Sequence, residues 1–161
     1  MRADLNESAR QLLETLRGKG LTLTCAESCT GGLVCAYLTE IPGASDVVER
    51  GFVTYSNAAK SEMLGVPSQM IEAHGAVCEE VADAMAQGAL ANSHADVSVA
   101  VTGVAGPGGG SAEKPVGLVI IAATRRGGRV VHERCTFGDI GRSEVRELTV
   151  AEAFRLVRMV I

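Results

Sequence analysis

The chain has 161 residues, enough for one domain with a sizeable core and no more. It is 47% hydrophobic and 21% charged but only 3% aromatic, with no Trp, two Tyr and three Phe, so its core must be built from Val, Ala, Leu and Ile. A formal charge of −4 argues against bulk attraction to nucleic acid or an anionic membrane surface.

The first twenty residues carry charges throughout, unlike a signal peptide or anchor, and no apolar run reaches the roughly 18 residues of a membrane span. A cytoplasmic protein is expected. The odd count of five cysteines (Cys25, Cys29, Cys35, Cys78 and Cys135) then predicts free thiols rather than a disulfide framework. The cluster Cys25-x3-Cys29-x5-Cys35 lacks a C-x2-C knuckle, and no His lies close to it in sequence, which speaks against a structural zinc site.

In chain order, Leu5, Ala9, Leu12, Leu13 and Leu16 recur at helical spacing over residues 5–17, and Gly18 and Gly20 end the pattern. Residues 21–25 alternate and read as a strand. Thr30 can cap a helix that begins at Gly31 and Gly32 and runs to Ile41. Residues 52–55 read as a second strand, followed by a helix capped by Asn57 that runs to Leu64, before Val66-Pro67 breaks it.

A short helix before Gly75 and a long one across 79–92 follow. Then come a strand over 96–102, a glycine-rich loop from Gly103 to Gly110, and the most apolar strand at 116–123. Residues 125–128 form a hairpin turn into a strand over 130–137, and a helix over 143–159 closes the chain. Interleaved strands and helices with an antiparallel final pair predict an α/β protein: a three-layer α/β/α sandwich with a mixed sheet, in a single domain over 1–161.

Ligands of α/β sheets gather beyond the carboxyl ends of parallel strands. Three such ends carry dense polar or glycine-rich sequence: 26–32, 55–60 and 102–115. The first, Glu27-Ser28-Cys29-Thr30-Gly31-Gly32, offers backbone N–H groups at a helix start to an oxyanion or a phosphate, or else is a capping turn. It is neither a P-loop nor a G-x-S-x-G elbow.

In the second, Lys60 lies one helical turn beyond Ser56 and Asn57, so it can project back to the strand end. A lysine serves a serine nucleophile only if its pKa is lowered, and most lysines at helix starts are merely solvated. Tyr55 reads equally well as a core ring. In the third, five glycines in eight positions let the backbone approach a ligand closely and bind an anion. No histidine is suggested as a partner for Cys29 or for a Ser-His-Asp triad.

Taken together, AESCTGG at 26–32, RGFVTYSNAAK at 50–60, HGAV at 74–77, TGVAGPGGGSAEKPVG at 102–117 and the Arg142-x3-Arg146 pair resemble the C-terminal domain family of the competence/damage-inducible protein CinA. The stand-alone form of that family looks like a nicotinamide-nucleotide amidase. The resemblance implies metal-free and cofactor-free hydrolysis of the carboxamide of nicotinamide mononucleotide, giving nicotinic acid mononucleotide and ammonia. It implies Ser28 as nucleophile, Lys60 as base and Tyr55 beside them. Ser45, Thr102, Gly103, Gly106 and Arg142 would surround the substrate. Glu27, Cys29, Thr30, Gly31 and Gly32 would form the oxyanion and support shell.

Self-association into a homo-oligomer is expected from the same resemblance, with no nucleic-acid or membrane partner. Where the family has a compact G-D-R, this chain has Gly138-Asp139-Ile140-Gly141-Arg142, two residues longer. Arg142 and Arg146 therefore stand as alternative phosphate ligands. Some relatives carry a molybdopterin-binding-like domain ahead of this one, and its activity is expected to be absent here. The alternative readings are a nucleotide-binding regulatory module and an amidase acting on another pyridine amide.

Overall fold

The computed structural model describes residues 1–161. Five strands form one mixed sheet: β1 (Leu23–Glu27), β2 (Val48–Val53), β3 (Val97–Gly103), β4 (Leu118–Arg125) and β5 (Val131–Thr136). Their order is β2-β1-β3-β4-β5. The first three strands are parallel, and β4 and β5 are added antiparallel. Around them lie α1 (Ala3–Gly18), α2 (Leu33–Thr39), α3 (Asn57–Leu64), α4 (Ser68–His74), α5 (Glu79–Ala91) and α6 (Arg142–Val160). The expected three-layer α/β/α sandwich is the observed one, and no helix is long and apolar enough to cross a membrane.

The layers follow from strand periodicity. In β1, Leu23 and Cys25 face the slab formed with α1, α2 and α6, while Ala26 faces α3, α4 and α5. In β3, Val97, Val99 and Val101 take the first side and Ala100 the second; in β4, Val119 and Ile121 oppose Ile120 and Ala122. The first slab holds 29 buried residues and the second 14. Leu5, Ala9, Leu12, Leu13 and Leu16 of α1 are all buried in the larger one, each leucine contributing about 1.5–3 kcal/mol on removal from water.

Sequence boundaries shift where backbone pairing overrides side-chain pattern. The second strand runs from Val48 to Val53 rather than 52–55, because Leu23 to Glu27 pair along that whole length. Helix α3 is capped not by Asn57 but by Ser56, whose Oγ accepts from the Ala59 amide at 3.0 Å. Thr30 caps nothing: Gly32 occupies the N-cap of α2, and the Thr30 hydroxyl is buried without a partner. Helix α2 is instead held by the Glu27 carboxylate, which accepts from the amides of Gly32 (3.0 Å), Val34 (3.1 Å) and Cys35 (2.9 Å). A carboxylate on three orphan donors does the work of a cap and complements the helix dipole. All five cysteines are free thiols.

Candidate active site

The carboxyl ends of β1, β2 and β3 converge on a cleft of about 310 Å³. Each strand is extended past its last ladder residue by one further backbone bond. The Ser28 amide donates to Val101 O (3.1 Å) and the Thr54 amide to Glu27 O (2.7 Å). These bonds tie the segment after β1 to the central strand β3 and the segment after β2 to β1.

Ser28 follows Glu27 and so leaves β1 on the opposite face. There it meets Lys60, one turn into α3 and only 1% exposed. Lys60 Nζ lies 3.0 Å from Ser28 Oγ and 2.9 Å from Thr54 O. No carboxylate pairs with it, and burial holds its pKa below the ordinary 10.5. The neutral amine can donate one N–H to Thr54 O while its lone pair accepts the Ser28 proton. Cys29 is a poor rival nucleophile, since burial pushes its thiol up to about 12.

The turn after Ser28 distributes its amides unevenly. Gly31 N donates to Ser28 O (2.9 Å) and Gly32 N to Glu27, so neither is free for a ligand. The amides of Cys29 and Thr30 donate to no protein acceptor. The amides left free beside Ser28 are therefore these two of the turn, not those at the start of α2, which Glu27 occupies. Glu27 touches backbone amides and does not contact Lys60.

The other wall of the cleft is the loop after β3. Gly103 and Gly106 line it through their backbone. At Gly106 the backbone has φ +81°, and a Cβ would come 2.5 Å from Val116 Cγ1, so glycine is required there. Gly106 O accepts from Arg142 Nη1 (2.8 Å), whose Nη2 donates to Tyr55 Oη (2.8 Å). Tyr55 is thus no core ring: it is 60% exposed at the cleft mouth and bonded to Arg142 rather than to Ser28 or Lys60. Thr102 is buried, and its hydroxyl donates to Ala76 O (2.8 Å), fixing the Ala76–Val77 wall opposite the loop.

Arg142 and Arg146 part company. Arg142 lines the cleft, whereas Arg146 reaches the turn from outside, Nη2 to Thr30 O at 2.7 Å. Ser45 is not brought to Ser28; it lies exposed in the short 3-10 turn Ala44–Asp46, beside a separate cavity between the end of α2 and β2. A larger cavity of about 420 Å³ borders α3 and α4 and shares Asn57 with the cleft, but it holds neither Ser28 nor Lys60. No group of three or more His, Cys, Asp or Glu is placed to hold a metal ion. Residue patterns did not flag Thr54, because its contribution is a backbone carbonyl, which leaves no side-chain signature.

The CinA C-terminal domain family profile matches residues 5–161. The chain belongs to this family. It is 47% identical over 154 residues to the nicotinamide-nucleotide amidohydrolase PncC of Escherichia coli K12, covering 95% of this chain and 92% of that one. It is 49% identical over 154 residues to a putative competence-damage inducible protein of Caldicellulosiruptor bescii, covering 92% of this chain but spanning 37% of that longer protein. The solved structure of the competence/damage inducible protein CihA of Agrobacterium tumefaciens superposes with a TM-score of 0.97 at 51% identity, over 99% of this chain and 96% of that one.

Proposed function

We propose that this CinA-family domain hydrolyses the carboxamide of nicotinamide mononucleotide to nicotinic acid mononucleotide and ammonia, with Ser28 as nucleophile and Lys60 as base. The observation that carries the reading is the Lys60 Nζ to Ser28 Oγ contact of 3.0 Å, made by a buried lysine that has no carboxylate partner. The name of the E. coli relative supplies the substrate class. A purely regulatory nucleotide-binding module would have no use for that contact.

Lys60, neutral, takes the Ser28 proton as Oγ attacks the amide carbon. The carbonyl oxygen becomes an oxyanion facing the Cys29 and Thr30 amides, each donor being worth about 10²–10³ in rate. The C–N bond breaks as the Lys60 ammonium returns its proton to the departing nitrogen, releasing ammonia and leaving an ester on Ser28. Water, deprotonated by Lys60, then attacks the ester, and the proton passes back to Ser28 as the acid leaves. The Ala76–Val77 wall receives the pyridine ring. Arg142 and the amides of the loop around Gly108 and Gly109 receive the phosphate by charge-assisted hydrogen bonds.

Ammonia release from nicotinamide mononucleotide, measured with EDTA present, tests this. Wild type and Cys29→Ala are expected to be active. Ser28→Ala should fall by at least ~10³-fold and Lys60→Ala by about 10²–10⁴-fold. Wild-type protein that binds the nucleotide without releasing ammonia would leave a sensor instead, and turnover of free nicotinamide at the same rate would discard the phosphate site.

A further inference from the structure

Arg142 and Arg146 sit one turn apart at the start of α6, and neither has a carboxylate within the 4.0 Å of an ion pair. Arg142 is spent on the mouth of the cleft. Arg146 is directed elsewhere: Nη2 donates to Thr30 O at 2.7 Å and would lie 3.7 Å from a Cβ built on Gly31. Its Nε is buried without an acceptor, and the neighbouring Thr30 Oγ1 is likewise buried and unpartnered. A fold that needed only packing here would place an aliphatic residue on this face of α6, because buried donors without partners are rare. A half-buried cation with an unsatisfied donor marks a demand made by the turn it grips.

We propose that Arg146 is a positioning residue for the nucleophile turn, holding the Thr30 carbonyl so that the Cys29 and Thr30 amides stay aimed at the developing oxyanion. This rests on the serine-hydrolase reading above. The Thr30 carbonyl belongs to the rigid peptide plane that leads into Gly31, whose φ is +59°. Fixing that oxygen fixes ψ of Thr30, and with it the presentation of the two free N–H groups just before it. The guanidinium also brings a positive charge with no counter-ion. Its field reaches the Cys29 thiol, drawing the pKa down against the dominant effect of burial, and the same field acts on an oxyanion formed beside Cys29. Preorganised donors and charge of this kind favour the transition state over the bound substrate.

The test compares wild type with Arg146→Met, Arg146→Gln and Arg146→Lys by two readouts: kcat and KM for nicotinamide mononucleotide, and the p-nitrophenolate burst from p-nitrophenyl acetate, with Ser28→Ala as blank. Arg146→Met is expected to lower kcat and the burst rate by about 10²-fold, with KM nearly unchanged. Arg146→Lys should recover most of the loss and Arg146→Gln, which keeps a donor but no charge, an intermediate part. If Arg146→Met does not fold, the Lys and Gln variants carry the comparison.

A KM that rises while kcat holds would make Arg146 a phosphate ligand and overturn the proposal, as would wild-type values in all three variants. Wild type that gives the ester burst but no ammonia would discard the substrate while leaving the positioning role to stand on the burst. Absence of both would remove the nucleophile and the role together.

Discussion

Glu27 and Lys60 are the two charged residues in the buried set, close in the fold yet not paired. Glu27 leaves β1 toward α2, where three amides satisfy it; Ser28, one position on, leaves toward α3 and Lys60. A single step of strand alternation therefore keeps the carboxylate away from the amine and leaves Lys60 without the anion that would keep it protonated. Burial lowers the Lys60 pKa from 10.5, so kcat/KM should rise with pH through that lowered value and then level off. Lys60→Arg, protonated at every accessible pH, should be inactive across the profile.

The same shift enters stability. Below the folded-state pKa both folded and unfolded chains carry the charge, and the burial cost is complete; above 10.5 both are neutral and the cost is gone. Stability contributed at this position is thus present above 10.5 and is lost as pH falls through the lowered value. Lys60→Met should erase that rise in chemical-denaturation midpoints while abolishing turnover. A pH–rate profile unchanged in Lys60→Arg would remove lysine from the chemistry.

Among the elements, α3 and α5 are joined most closely at Gly88. A Cβ there would sit 2.0 Å from Leu64 O and 2.8 Å from its carbonyl carbon, both backbone atoms that cannot rotate aside. Gly88→Ala must push α3 away from α5, at about 1–3 kcal/mol, or roughly 2–4 °C of Tm per kcal/mol for a domain this size. Because Lys60 rides on α3, the variant should also lose activity at temperatures where it is fully folded. A normal rate with a lowered Tm would show that α3 tolerates the displacement.

Helical spacing and strand alternation give every helix and strand of this fold, since apolar periodicity is written in side chains. Helix phase allows Lys60 to project back to the strand end, but its pairing with Ser28 is implied by the resemblance and not by the pattern. The α2 cap was misread because Thr30 has a capping side chain in the right place, whereas Glu27 reaches the same amides from a strand. Asn57 lost the α3 cap to Ser56 through a one-residue boundary, and the Thr54 carbonyl and the Arg146 grip involve backbone oxygens, to which no residue pattern points. Ser45 was carried over by resemblance alone, and its place beyond the cleft is a matter of tertiary path.

For the molecule as a whole, the parallel half of the sheet presents its carboxyl ends to the cleft, while β4 and β5 complete the sheet. The cleft lining contains Lys60 and Arg142 and no acidic side chain, on a chain whose net charge is −4. The anionic substrate proposed above would thus be met by local rather than overall charge.

The two slabs that flank the sheet are unequal, 29 buried residues against 14, and Ser28 and Lys60 meet on the side of the smaller one. Ser28 is tied to the central strands, whereas Lys60 and the Ala76–Val77 wall belong to the thinner side. Local opening follows the smaller apolar contact area. Backbone amides of α3 and α4 should therefore exchange with deuterium through partial openings, well before those of β1, β3 and α6, which await global unfolding. A bound nucleotide should slow exchange chiefly in α3 and α4. Equal protection of α3 and β1 in the free protein would refute this, whereas the expected gradient would mean that the proposed base rides on the most readily released layer and the proposed nucleophile on the last.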